Sequence, residues 1–302
     1  MGPFFITMPE ICKIGAIVVV YHPDCERLSR LLDAMRSLMC IVIVKNDQPE
    51  VDADFWLLES KKRENLKLLQ MESNSGIGRA VNVGAKFLEK NGVDYIWTLD
   101  QDSLPSDGCL RHMLVIAEKV IQENAEKIAA IVPVVTDACS GRRLPHLVKK
   151  ENGSIGLGAK GDESEVLCAI TSGMLIPLMA WKGIGSMNED FFIDHVDTEW
   201  CFRASAKGYK LVVSPESFLE HQLGNLEEFN FLGQKIVLRT RDSIRTYHML
   251  RNGWRLAKIG HSPTNWGPYF NKEAARIAIK ALIFGPNRRE QAKAIKQAWM
   301  DS

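Results

Sequence analysis

The sequence predicts an α/β fold: a Rossmann-like, mostly parallel central sheet with helices on both faces, followed by a helical C-terminal region. Three observations carry this. The first half alternates short apolar, β-branched runs with segments of helical periodicity. One of those runs ends on two aspartates, Asp100 and Asp102, at the strand end where open α/β sheets gather ligands. From about residue 233 onward the pattern reads as helix. Together they divide the chain into a sheet domain, 1–232, and a helical region, 233–302.

Taken in order, IGAIVVVY (14–21) is continuously apolar, as a strand buried on both faces requires. His22-Pro23-Asp24 breaks it, and Leu28, Leu31, Leu32, Met35 and Leu38 then recur at helical spacing. Ile41 to Val44 and Leu66 to Met71 read as the next two strands. A helix follows, with Ser73 or Asn74 as its cap, Val81, Ala85 and Leu88 as its apolar stripe, and Asn91-Gly92 as its stop. Residues 94–99 form a strand, 107–123 a helix and 128–135 a strand. Residues 136–164, rich in Gly, Lys and Ser, read as a long loop or hairpin excursion. Beyond it come the apolar run 166–176, a helix over 197–207 stopped by Gly208, and a strand at 209–213.

Composition narrows the function classes. Hydrophobic content of 46% and charged content of 25% describe an ordinary globular chain. A net charge of +1 supplies no overall field for nucleic acid or anionic membrane, so no nucleic-acid partner is expected. Seven cysteines without a C-x-x-C pair fit reduced, structural thiols. The N-terminal stretch has neither the basic start nor the apolar core of a signal peptide, and Ile6 argues against myristoylation. No run approaches the about 20 apolar residues that cross a bilayer. A cytoplasmic protein is expected.

The candidate chemistry is carboxylates and one histidine. Asp100-Gln101-Asp102 fits either a polar turn or a divalent-metal site, since hard cations prefer carboxylate oxygens. An EF-hand is excluded by Leu104 and Pro105. In FFIDHVDTEW, Asp194, Asp197 and Glu199 precede a helix; one of them can be a cap, but three acids beside His195 exceed what a cap needs. His221, in LEHQLG, reads as standing near the end of a strand, and it matters only where the fold returns it to Asp102. GLGAKG (156–161) matches a dinucleotide fingerprint but lacks its strand and helix, and reads as loop. H-E-x-x-H, G-x-S-x-G and Walker A motifs are absent.

VVVYHPD (18–24), NSGIGRAVNVG (74–84), LDQDS (99–103), TSGMLIP (171–177), FFIDHVDTEWCFRA (191–204), HQLG (221–224) and RTYHMLRN (245–252) occur in this order. Together they resemble the family 2 glycosyltransferases of GT-A fold, in particular bacterial rhamnosyltransferases that use dTDP-L-rhamnose. The resemblance implies that Asp102, His221 and Asp100 hold Mg²⁺ or Mn²⁺ against the donor diphosphate. It implies that Asp197 is the catalytic base of an inverting displacement, with Glu199 and Asp194 as alternatives. It assigns the nucleotide sugar to Tyr21, His22, Asn46, Asp47, Gly76, Arg79, Asn82, Asp100, Gln101, Arg245 and Arg251. Where the family reads V-D-N-x-S, this chain has Val44-Lys45-Asn46-Asp47-Gln48. Either Asp47 replaces the missing base-contacting Asp, or base selection differs.

The implied acceptor is a glycan, often lipid-linked at the inner face of the membrane. The basic stretch 271–299 fits a solvated helix face or a peripheral membrane contact. A helical tail can equally serve a homodimer or the acceptor. Two rival readings stay open: a transferase using UDP-galactofuranose or UDP-N-acetylglucosamine, and an inactive scaffold subunit of a polysaccharide assembly complex.

Overall fold

A computed structural model describes residues 12–122, 127–158, 165–222, 227–231 and 233–302. Residues 1–11 of the N-terminal stretch, residue 123 of the expected helix, 159–161 of GLGAKG and 223–224 of HQLG lie outside the described residues.

In chain order, β1 (Ile14–Val20) leads to α1 (Cys25–Ala34), β2 (Cys40–Lys45), α2 (Ala53–Lys62), β3 (Leu66–Gln70), α3 (Ile77–Lys90) and β4 (Tyr95–Asp100). The four strands are parallel neighbours in the order β3-β2-β1-β4. Next come β5 (Ser103–Pro105), α4 (Cys109–Gln122), β6 (Lys127–Asp137), β7 (Leu147–Lys149), β8 (Ile155–Leu157), β9 (Glu165–Cys168), β10 (Leu175–Pro177) and α5 (Leu178–Ile184). A 3₁₀ turn at Glu189–Phe191 precedes α6 (Val196–Ala206), β11 (Tyr209–His221), β12 (Glu227–Phe231) and β13 (Gln234–Leu238). Three helices close the chain: α7 (Ser243–Lys258), α8 (Trp266–Phe284) and α9 (Arg288–Met300).

The main sheet continues from β4 through β10, β6 and β11 to β5. Strand β10 runs antiparallel to β4 and β6, β11 runs parallel to β6, and β5 runs antiparallel to β11. Two apolar layers cover its faces. Ala16, Val18 and Val20 of β1 face the layer of α1 and α4, while Ile17 faces the layer of α3 and α6. Both faces of the strand are therefore dry, which explains its unbroken apolar run. No helix among the described residues is long and apolar enough to cross a membrane. All seven cysteines are free, with Cys40, Cys109 and Cys201 buried.

Several elements differ from the sequence expectation. The cap of α3 is Gly76 rather than Ser73 or Asn74: its φ is +83°, and a Cβ there would lie 2.5 Å from the Phe192 carbonyl oxygen. Only glycine fits that approach. The run 166–176 is two strands, split by a turn in which Gly173 N–H bonds the Thr98 carbonyl (2.7 Å). The strand expected at 209–213 and the strand end expected at His221 are one strand, β11, continuous through an irregularity between Ser214 and Phe218. Residues 147–157 form a hairpin, which β9 joins as a third strand. Helix past 233 begins only at Ser243, because Gln234–Leu238 pairs with β12. Helix α2 went unanticipated; its apolar residues do not form one stripe, with Trp56 buried but Leu57 and Leu58 exposed.

Candidate active site

Strand β4 delivers Asp100 to the carboxyl end of the sheet, and the turn Gln101-Asp102 carries the chain into β5. Strand β5 then pairs antiparallel with the end of β11, placing Ser103 opposite His221. That register brings His221 back to the aspartates. His221 Nδ1 lies 3.1 Å from Asp102 Oδ1, and Nε2 lies 3.9 Å from Asp100 Oδ2. One ligand atom from each of the three residues falls within 4.8 Å of the others. Two carboxylates and an imidazole at that spacing fit a divalent cation of the Mg²⁺ or Mn²⁺ type.

A hydroxyl network braces the group. Ser172 Oγ accepts from Asp100 N–H (3.0 Å) and lies 2.6 Å from Ser103 Oγ, which is 3.1 Å from His221 Nδ1. Arg27 donates to the Asp102 carbonyl (2.7 Å) and pairs with Glu220. Burial, with Asp102 and Asp197 adding repulsion against the pull of His221, raises the Asp100 pKa to about 6. Burial also opposes a charge on His221, but Asp102 and Asp100 outweigh it and raise its pKa. The three residues thus hold surplus negative charge in a partly dry place, as a cation site does.

Asp197 stands in the first turn of α6, half-buried. Its Oδ1 accepts from Thr198 N–H (2.7 Å) and lies 3.2 Å from Thr198 Oγ1. Burial raises its pKa, and the Thr198 bonds oppose that only in part. The other two acids of the motif are engaged elsewhere. Glu199 is buried and takes two 2.8 Å bonds from Arg203, while Asp194 is paired with Arg245 at 3.3 Å. His195 packs edge-on against Trp266 and Phe270, and burial depresses its pKa to about 4.

The 191–195 segment that leads into Asp197 contains two consecutive left-handed residues, Asp194 (φ 60°) and His195 (φ 62°). Helix α7 straps it. The Asn252 amide, fully buried, reaches the carbonyls of Phe191 (3.4 Å), Ile193 (2.9 Å) and Asp194 (3.0 Å), and Arg251 donates to the Asp190 carbonyl (2.8 Å). Helix α8 packs close behind, with Phe270 lying against Gly253 where no Cβ fits.

A cleft of about 1060 Å³ opens over the cluster. Of the residues expected from sequence, Tyr21, Asn46, Gly76, Asp100, Gln101, Asp102, His221 and Arg245 line it together. The others stand outside the lining. Asp197 is close enough to act on Asp100 through space. Asp47 is buried, bonded to Lys45 Nζ and to His22 N–H (2.8 Å). Asn82 bonds Met187 and Glu189, Arg79 is exposed, and Arg251 serves the strap. Gln101 contributes a backbone clamp, accepting from Tyr21 N–H (2.7 Å) and donating to the Tyr21 carbonyl (3.1 Å).

Sequence reasoning passed over Arg27, Arg239 and Arg241 and read Lys280 only within the basic stretch 271–299; all four also line the cleft. The dense R-T-R-D run at 239–242 was the available signal. Ser103 and Ser172 lay inside quoted motifs without a role, because their partnership needs strands 69 residues apart.

The family model described as Glycosyl transferase family 2 matches residues 16–170. The match includes Asp100 and Asp102 and stops short of Asp197, His221 and Arg245. The chain is 28% identical over 256 residues to dTDP-rhamnosyl transferase RfbF of Shigella flexneri, covering 83% of this chain and 82% of that one. Among solved structures, TarS 1-349 of S. aureus superposes with a TM-score of 0.56 at 15% identity, covering 96% of this chain and 79% of that one. This chain spans 44% of the longer TarS chain. The mannosyltransferase PcManGT from Pyrobaculum calidifontis, solved with GDP-Man and Mn²⁺, superposes at 0.54 with 13% identity, covering 96% and 76%. At those identities the structural likeness concerns the fold, which is GT-A.

Proposed function

This chain belongs to glycosyl transferase family 2 and is a glycosyltransferase, and from that premise we propose the inverting transfer of L-rhamnose from dTDP-L-rhamnose to a glycan hydroxyl. The observation that carries the reading is the Asp100, Asp102 and His221 cluster on the wall of a cleft large enough for a nucleotide sugar. The rhamnose and the thymidine rest on the likeness to RfbF across most of both chains.

Asp102, His221 and Asp100 would hold Mg²⁺ or Mn²⁺. Bound there, the ion supplies charge neutralisation to the diphosphate leaving group. Tyr21 and Asn46 line the wall assigned to the nucleotide base. Asp47 is committed to Lys45 and His22, so it shapes that wall through the His22 backbone. Asp197 accepts the proton of the acceptor hydroxyl as that oxygen attacks the anomeric carbon opposite the diphosphate. A raised pKa suits a base better than a strongly acidic carboxylate does. We assign donor binding and catalysis mainly to residues 1–232, and contact with a lipid-linked or surface glycan, membrane or second copy to 233–302. The setting of this reading is the inner face of the membrane.

The test is donor turnover by the purified protein, with dTDP-rhamnose against UDP-galactofuranose and UDP-N-acetylglucosamine, with Mn²⁺ or EDTA, repeated on Asp102→Ala. Metal-dependent turnover of dTDP-rhamnose that Asp102→Ala abolishes is the expected result. Preference for a UDP-sugar overturns the donor assignment and keeps the reaction class. A folded, metal-supplied protein that binds no nucleotide sugar leaves only the scaffold reading.

A further inference from the structure

Among the described residues, five lysines and arginines line the cleft: Arg27, Arg239, Arg241, Arg245 and Lys280. Three have acidic partners: Arg27 pairs with Glu220, Arg239 with Asp137 and Arg245 with Asp194. Arg241 and Lys280 have no ion pair among the described residues, and both also line a small adjoining pocket with Thr240, Thr246 and Ile277. They come from different elements, the linker before α7 and the C-terminal part of α8. Arg241 is not loosely tethered, because the fully buried Gln291 of α9 donates to its carbonyl (2.7 Å).

Charge accounting shows what such a pair is for. The two aspartates of the cation site carry two negative charges, which one divalent ion cancels. Phosphoryl groups entering the cleft would then find Arg27, Arg239 and Arg245 already in ion pairs, and Arg241 and Lys280, among the described residues, in none. Bringing two like charges together in a half-buried place is unfavourable unless an anion joins them. Burial and the neighbouring guanidinium of Arg241 depress the Lys280 pKa, and burial together with Arg245 depresses that of Arg241 against the pull of Asp194. A guanidinium fork beside a lysine point charge matches the several oxygens of a phosphoryl group.

We propose that Arg241 and Lys280 form an anion subsite on the C-terminal wall of the cleft, taking a phosphoryl group from the donor diphosphate or from a phosphorylated acceptor. The assignment rests on the reading of the cleft as a nucleotide-sugar site, and it adds a metal-independent element to it.

The experiment is calorimetry on the full chain with inorganic pyrophosphate in EDTA, comparing wild type with Arg241→Gln, Lys280→Gln and the charge-keeping Lys280→Arg. Wild type binds pyrophosphate without metal, each Gln variant weakens binding by about tenfold or more, and Lys280→Arg retains it. Asp102→Ala, which removes the cation site, leaves this signal unchanged or tighter, so loss of the metal reading and loss of this one are separable. Two further arms identify the source. Weaker dTDP binding in the Gln variants assigns the subsite to the donor. Unchanged dTDP binding, with weaker binding of farnesyl diphosphate to the dTDP–Mn²⁺ complex, assigns it to the acceptor. Equal affinity of the folded Gln variants and wild type for all three probes overturns the proposal.

Discussion

At the scale of the residue, Asp197 differs from its neighbours by what it lacks. Asp194 and Glu199 each face an arginine, whereas Asp197 is held by hydrogen bonds from Thr198 and the Thr171 backbone, in a buried setting that raises its pKa. An acid held by an arginine is a poor proton acceptor; one raised by burial is a better one. Asp197→Asn is therefore expected to lower kcat by about 10²–10⁴-fold while the affinity for dTDP stays within a few-fold. The wild-type rate should fall as pH drops through the raised Asp197 pKa, above the usual carboxylate range, because protonation removes the acceptor orbital. Steady-state kinetics with a pH profile, beside calorimetry with dTDP, checks both. A parallel collapse of dTDP affinity would assign Asp197 to donor binding. The three acids were legible as a cluster in the sequence, but not their division of labour. That division depends on Arg203, one turn away, and on Arg245, 51 residues away.

At the scale of the element, local periodicity and long-range pairing explain what was readable. Strands β1, β2 and β4 are apolar on both faces, and α1 and α3 carry clean stripes, so each announces itself locally. Strand β11 is announced only in pieces, 209–213 and the strand end at His221, because its continuity depends on pairing with β5 and β6. Helix α7 lies within the stretch that read as helix from about 233, and Arg251 was assigned there to the nucleotide sugar. Its next residue, Asn252, instead holds a strained segment through three carbonyls. Removing that amide leaves buried carbonyls without donors, at a cost of about 1–3 kcal/mol. Asn252→Ala is expected to lower the melting temperature and speed amide exchange in 191–197. Asn252→Asp should be worse, since a buried carboxylate would face those carbonyls. Differential scanning calorimetry with hydrogen exchange reads both, and unchanged exchange in 191–197 would refute the strap.

At the scale of the whole molecule, the cleft belongs to neither half of the chain. Its cation site comes from β4, the turn after it and the end of β11, another wall from Tyr21, Asn46 and Gly76, and the last wall from residues 237–245 with Lys280 of α8. The family match ends at residue 170, before any of that last wall begins. Motifs could locate the first two walls because each lies within a few residues of a strand end. The third, apart from Arg245 at the head of RTYHMLRN, is assembled by β13 pairing with β12 and by the packing of α7, α8 and α9, which no short motif records. A ligand spanning the cleft should therefore couple the halves. At a hundred times its Kd, dTDP with Mn²⁺ would stabilise the folded state by about 2.7 kcal/mol. Hydrogen exchange should then slow in three separated segments: 99–103, 191–197 and 237–245. Protection confined to 99–103 and the Tyr21 region would mean that the nucleotide touches the parallel half alone. The basic wall would then be left for the acceptor, and adding a phosphorylated acceptor should extend protection to 237–245.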